Sequence, residues 1–226
     1  FTGYCPCIPG LCFSGLLDGF GCVMVNFRTG DDVDSMTGPT SNGCYAYYVV
    51  VKANLVGLKP KSIYHEHAAA LPLSGLTAWQ ALFDHGHLAT GQKVLIHAAS
   101  GGVGSYAVQF AKWKGAYVIG TASERNIDFV KQLGTDEVID YKKEKFEDKV
   151  KDVDLVIDLI GGYTQKNSLR VIKNGGRLIT TVKPDNQEAA KEKNIHVEGF
   201  MAMSDPEELE QIAALIDGGK IKPVVS

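Results

Sequence analysis

Ala98, Gly101 and Gly104 recur at a spacing of three in the run Ala98-Ala99-Ser100-Gly101-Gly102-Val103-Gly104. Glycines this close together let backbone amides approach an anion, so the chemistry on offer is a phosphate cradle. The strict dinucleotide pattern G-x-G-x-x-G is not met, because Ala99 occupies its first glycine position. The bland alternative is an ordinary small-residue turn. Context favours the cradle. Val94, Leu95 and Ile96 precede the turn as a short apolar run of the kind found in buried parallel strands. Val103, Ala107, Phe110 and Ala111 follow it on one helical face. Strand, turn and helix in that order aim free helix N–H groups and a partial positive charge into the turn.

The elements around this unit repeat. After Gly91 the pattern predicts strands at Lys93–His97, Tyr117–Thr121, Glu137–Asp140, Asp154–Asp158, Arg177–Val182 and His196–Phe200, separated by helical segments. Phe129, Val130 and Leu133 have helical spacing, with Gly134 as C-cap. Asp205-Pro206 opens an amphipathic helix that turns Leu209, Ile212, Ala213 and Ile216 inward and ends at Gly218-Gly219. Successive βα units predict a Rossmann-type doubly wound parallel sheet, an α/β fold covered on both faces. The run Lys142–Lys151 is mixed in sign and reads as a solvated helix face.

Residues 1–60 read as β-rich. Gly30-Asp31-Asp32-Val33 is a turn into an extended stretch, Ser41-Asn42-Gly43 is a second turn, and Tyr45–Val51 is dense in β-branched and aromatic residues, as a strand requires. Ser62 is placed to cap a short helix containing Glu66 and Ala68–Ala70, and a longer helix is expected from Leu73 to Phe83. The division expected is a β-rich domain over 1–72 and a dinucleotide-binding domain over 73–226.

With 226 residues, 45% of them apolar and a net charge of −3, the composition favours neither nucleic acid nor a membrane surface as partner. No apolar run approaches the ~20 residues that span a bilayer. The first residue is Phe1 and the last residues, Pro223-Val224-Val225-Ser226, read as the start of a strand, so a fragment is expected. Cytoplasmic location is the expectation, with a targeting segment conceivable upstream. The five cysteines, Cys5, Cys7, Cys12, Cys22 and Cys44, are odd in number and lack zinc-knuckle spacing, so they read as reduced thiols. His65-x-His67 and His85-x-His87 have the wrong spacing to chelate and read as solvated or capping residues.

The chain resembles the medium-chain dehydrogenase/reductase superfamily, in its zinc-independent quinone oxidoreductase and enone reductase branch. The resemblance rests on Ile8-Pro9-Gly10, Phe13-Ser14-Gly15, Phe27-x-x-Gly30-Asp31-x-Val33 and Gly43-x-Tyr45-Ala46-x-Tyr48-Val49. The centre adds Ala69-Ala70-Leu71-Pro72-x-x-Gly75-Leu76-Thr77-Ala78-Trp79, and Leu133-Gly134-x-Asp136-x-Val138-Ile139-Asp140-Tyr141 and Gly175-Gly176-Arg177 follow. It implies that the N-terminal part is a partial GroES-like substrate domain. Zinc-dependent relatives have a Gly-His-Glu motif where this chain has Gly10-Leu11-Cys12 and a cysteine ligand where it has Leu73; leucine cannot bind a metal. The reaction implied is therefore hydride transfer from NADPH to a quinone or an α,β-unsaturated carbonyl without zinc, by a homodimer. A nucleotide-binding structural or regulatory protein of the same fold is the alternative, and a zinc alcohol dehydrogenase a more remote one.

By the same resemblance, Ser100, Gly101, Gly102, Val103 and Gly104 hold the pyrophosphate through backbone N–H groups. Thr77 meets the nicotinamide half, against the plainer reading of a helix threonine bonded to its own backbone. Ile160 and Gly161 follow the fourth strand where the ribose passes. Thr181, Val182, Phe200 and Met201 are candidate nicotinamide walls, though buried sheet residues would look alike. No catalytic side chain is assigned, and Tyr45 reads as a packed strand residue. Selectivity for NADP over NAD is expected because no acid ends the second strand at Gly120-Thr121-Ala122-Ser123. Ser123, Arg125 and Asn126 can donate to a phosphate, and Tyr141 matches a position that lines the same pocket in quinone oxidoreductases. The alternative makes Ser123 a helix N-cap, Arg125 a solvated residue and Glu124 an NAD-type acid on a shifted loop; the NADP reading is preferred because Glu124 can point outward from the helix start.

Overall fold

The computed structural model describes residues 8–21, 27–38, 43–185 and 187–225. Contacts divide the chain into two compact units, one of residues 1–76 with 202–226, the other of residues 77–201.

The first unit carries an antiparallel sheet of β1 (Cys12–Leu16), β2 (Asp32–Met36) and β3 (Val56–Leu58), in the order β1-β2-β3. The turn expected at Gly30 is present, with φ +93 at that residue, and leads directly into β2. The short helix α1 (His65–Ala68) begins after Tyr64, so Ser62 is not its cap. Ser62 and Lys61 instead donate their backbone N–H groups to Asp217, at 2.8 and 3.1 Å. Helix α2 (Pro72–Gln80) runs from this unit into the next and continues as a wider turn over Ala81–His85.

The second unit is a six-stranded parallel sheet. Its strands are β4 (Lys93–Ile96), β5 (Tyr117–Ala122), β6 (Glu137–Asp140), β7 (Val153–Asp158), β8 (Ile172–Thr180) and β9 (His196–Gly199). Their order, β6-β5-β4-β7-β8-β9, reverses direction between β4 and β7, which is the doubly wound arrangement. Helices α3 (Gly102–Trp113), α4 (Ile127–Gln132), α5 (Phe146–Lys149), α6 (Gly162–Val171) and α7 (Gln187–Glu192) connect the strands. Val94, Leu95 and Ile96 of β4 and Val156 and Ile157 of β7 are fully buried, as expected for central parallel strands. All six expected strands are present within a residue or two of their bounds, except that β8 begins five residues earlier, beyond an irregularity in its pairing with β7.

Helix α8 (Pro206–Asp217) closes the described chain. Asp205 caps it by accepting from the N–H groups of Glu207 and Glu208, and Leu209, Ile212, Ala213 and Ile216 are buried. It packs on β3, where Gly57 leaves room for Leu209: a Cβ there would lie 2.9 Å from Leu209 Cβ. Residues 202–226, expected within the dinucleotide domain, thus group with the N-terminal unit, and the division near residue 72 falls at 76/77.

Tyr45–Val51 is not a strand. Tyr45 donates its N–H to Pro9 O at 2.9 Å, but among the described residues no strand pairs with the stretch beyond it. Strand propensity reports fit to a paired, half-buried surface, and without a neighbour it has no effect. Tyr45, expected to be packed, is 84% exposed. The turn at Ser41-Asn42 and the thiols Cys5, Cys7 and Cys22 lie outside the described residues; Cys12 and Cys44 are free.

Candidate functional site: a cleft at the carboxyl ends of the parallel strands

The turn after β4 is tightly built. Ala98 takes the left-handed conformation (φ +52), and a Cβ on Gly104 would lie 2.2 Å from Ala98 O, so only glycine lets α3 approach β4 this closely. Ala99 fills the first glycine position of the dinucleotide pattern. Its methyl fits because Gly120 on β5 has none, and the two Cβ atoms would otherwise stand 2.9 Å apart. Helix α3 starts without a side-chain cap, so the first-turn N–H groups of Gly102, Val103 and Gly104 have no intrahelical partner. Unpaired N–H groups at a helix start are what an anion site requires.

Residues from the ends of β4, β5, β6 and β7 enclose a cleft of about 650 Å³ beside this turn. Seven of the residues proposed from sequence line it. Ser100 and Gly101 come from the glycine turn, Ser123, Arg125 and Asn126 from the turn after β5, Tyr141 from the end of β6, and Ile160 from the end of β7. Asn126 Nδ2 donates to Ser100 Oγ at 3.0 Å, which ties two of these walls together and commits one of the amide donors. Ser123 sits at the N-cap position but makes no side-chain cap bond, leaving its hydroxyl to the cleft. Glu124, the candidate NAD-type acid, pairs with Lys143 at 2.5 Å and is not among the cleft residues. Arg125 has no acidic partner among the described residues.

The floor is a buried polar network that sequence reasoning did not anticipate. Ser168 Oγ donates to Thr164 O, so it accepts from His97 Nε2 at 2.9 Å. Thr121 Oγ1 receives the Ala98 N–H and is then free to donate to His97 Nδ1 at 3.2 Å. His97 is thereby held neutral in its Nε2–H form. Burial pushes it down to about 4, against the pull of the Asp158 carboxylate. Asp158 itself, fully buried, accepts from the N–H groups of Ile160 and Gly161 through one oxygen and from Gln165 and Thr180 through the other. Gln165 Oε1 then receives the Asp185 N–H at 2.6 Å. One carboxylate thus fixes both loops that follow β7 and β8.

The remaining expected residues lie outside that cleft. Gly102, Val103 and Gly104 open α3, and Thr77 is buried in α2. Gly161 packs against Val182, beside Thr181, where a Cβ would meet Val182 Cγ2 at 2.8 Å. Phe200 follows β9 with its ring 4.5 Å from that of His85, and Met201 beside it is exposed. His85 is not simply solvated, since its Nδ1 meets Glu198 at 2.9 Å.

A family profile described as zinc-binding dehydrogenase matches residues 133–226. The quinone oxidoreductase of Coxiella burnetii has a solved structure that superposes with a TM-score of 0.89 at 36% identity, over 96% of this chain and 70% of that one. The chain belongs to the medium-chain dehydrogenase/reductase family. Within that family it is 33% identical to the mitochondrial NAD(P)H oxidoreductase RTN4IP1 of Danio rerio, over 99% of this chain and 66% of the relative. It is 32% identical to the chloroplastic NADPH-dependent alkenal/one oxidoreductase of Arabidopsis thaliana, over 97% of this chain and 56% of the relative. This medium-chain dehydrogenase/reductase chain therefore spans less than two thirds of the length of these curated relatives. No helix among its described residues is long and apolar enough to cross a membrane.

Proposed function

We propose that the chain is the cofactor-binding part of an oxidoreductase that transfers hydride from NADPH to a quinone or an α,β-unsaturated carbonyl, without zinc. The observation that carries the reading is the β5 rim of the cleft. Ser123 and Arg125 face the cleft unpaired by acids, while Glu124 is neutralised by Lys143 outside it. An NAD-selective site needs a free acid at this rim to accept from the ribose hydroxyls; a 2′-phosphate needs donors and a cation. The names of the Arabidopsis and Coxiella relatives, which specify NADPH, alkenal/one and quinone, agree with it.

The residues present fit a dinucleotide. The uncapped first turn of α3 takes the pyrophosphate, together with Ser100 and Gly101, and Ser123, Arg125, Asn126 and Tyr141 surround the adenosine phosphate. The Asp158 network holds Ile160 and Gly161 on the ribose path. Thr77, Thr181, Val182, Phe200 and Met201 are proposed to wall the nicotinamide half. Bound nicotinamide supplies the hydride, and a conjugated acceptor delocalises the incoming charge onto oxygen, so no Lewis acid is needed. Leu11 and Leu73 offer no metal donor. Burial pushes the Cys12 thiol up to about 11, so it stays protonated and ligates poorly. The compartment proposed is a reducing one, the cytoplasm or an organelle interior.

The test is the ratio of kcat/KM for NADPH and NADH, with a quinone and a small enone, with and without a chelator, in the wild type and in Arg125→Ala. A preference for NADPH that falls about tenfold or more in the variant is expected, with no effect of the chelator. Equal efficiency with both cofactors, or activity lost with zinc, refutes the reading.

A further inference from the structure

The charged run Lys142–Lys151 has no part in the site described above, yet it crosses that site. Phe146 is buried with its ring 4.7 Å from that of His97, at the end of β4, although the run leaves the sheet from β6, two strands away. At the far side Glu147 accepts from Tyr163 Oη, on α6, at 3.3 Å. The segment 144–147 therefore spans the carboxyl ends of the strands as a strap, and all four of its residues line the cleft.

Its charges are sorted. Lys143 is spent on Glu124 and Lys149 on Glu144, at 2.5 and 3.3 Å. Glu147 is held by Tyr163. Lys145 alone of the strap's charged side chains has no ion-pair or hydrogen-bond partner among the described residues, and it lines the same cleft as Arg125. The two ion pairs thus mask Glu124 and Glu144, and among the described residues that line the cleft two cations keep no acidic partner, Arg125 on the β5 rim and Lys145 on the strap.

We propose that Lys145 is a second specificity-determining cation, which closes from the strap on the 2′-phosphate of the adenosine ribose together with Arg125. The proposal rests on the NADPH reading above and extends it to a wall of the cleft that the dinucleotide pattern does not include. A phosphate dianion between two cations from separate elements is held with a geometry that a single arginine cannot impose.

The experiment uses 2′,5′-ADP, 5′-ADP and 5′-AMP as probes, titrated calorimetrically into the 226-residue chain. Wild type, Lys145→Gln, Lys145→Arg and Arg125→Ala are compared. Lys145→Gln should weaken 2′,5′-ADP about tenfold while leaving 5′-AMP and 5′-ADP within twofold, and Lys145→Arg should restore most of the loss. Equal weakening of 5′-ADP would put Lys145 on the pyrophosphate and overturn the proposal, as would an unchanged affinity for 2′,5′-ADP. If the wild type binds 2′,5′-ADP no better than 5′-AMP, the NADPH reading fails first. If Arg125→Ala loses the preference and Lys145→Gln keeps it, only the role of Lys145 fails.

Discussion

Asp34, in β2 of the first unit, should make that unit less stable as pH rises. The residue is 1% exposed, and neither carboxylate oxygen has a hydrogen-bond partner. Burial pushes it from 3.8 up to about 8, more strongly than the nearby Lys59 charge pulls it down. Lys59 is committed elsewhere, donating to the carbonyls of Pro60 and Ile63. The folded unit therefore keeps a proton that the unfolded chain has already released. Stability is greatest below the unfolded value, falls by about 1.4 kcal/mol per pH unit between the two, and levels off above about 8. At pH 7 the accumulated loss is about 4 kcal/mol, a large part of what a domain of this size has to spare. Asp34→Asn keeps the shape and removes the proton. It should stabilise the unit by up to about 4 kcal/mol at pH 7 and by almost nothing at pH 4. Hydrogen exchange of β2 and β3 amides, corrected for the intrinsic rate, measures both. A wild-type unit that gains stability from pH 5 to 7.5, or an Asn variant that keeps the falling slope, would refute the reasoning.

His97 has the opposite sign. Held near 4 in the fold but near 6.5 when unfolded, it makes the second unit lose about 3 kcal/mol as pH falls from 6.5 to 4, and His97→Gln should flatten that limb at the cost of neutral-pH stability. Trp79 and Trp113 both belong to this unit, so tryptophan fluorescence during urea unfolding reads it directly; an unchanged acid slope in the variant would count against the account. The edge strand β9 pairs only with β8 among the described residues, and an open edge invites a copy of itself. Sedimentation at micromolar concentration should give a dimer, and a monomer there would dispose of the idea.

The parallel sheet was legible because each strand is a short apolar run closed by turn residues, and each βα step repeats the signal. The glycine turn could be placed for the same reason. What local sequence could not show was partnership. Tyr45–Val51 has strand composition and no neighbour to pair with. His97 looks like any strand-end histidine until Thr121 and Ser168, 24 and 71 residues away, supply its bonds. Glu124 looked available to a ribose until Lys143 claimed it. The strap over the cleft was hidden by its charges, although Phe146 and Val150, four residues apart and both buried, are the trace of an inward face that could have exposed it.

The exchange of a methyl group between Ala99 and Gly120 makes these two positions a correlated pair. Glycine at position 99 would remove the contact, but a side chain at Gly120 would be pressed against the Ala99 methyl, and the ends of β4 and β5 would have to separate. The order of events therefore matters: glycine at 99 must come first, and alanine at 120 second. Even then Val130 and Thr135, 3.1 and 3.2 Å from the new methyl, would have to give way by a few tenths of an ångström. A departure from the dinucleotide pattern at its first glycine is thus recorded 21 residues downstream, on the neighbouring strand, and a search for such motifs gains by examining both strands together.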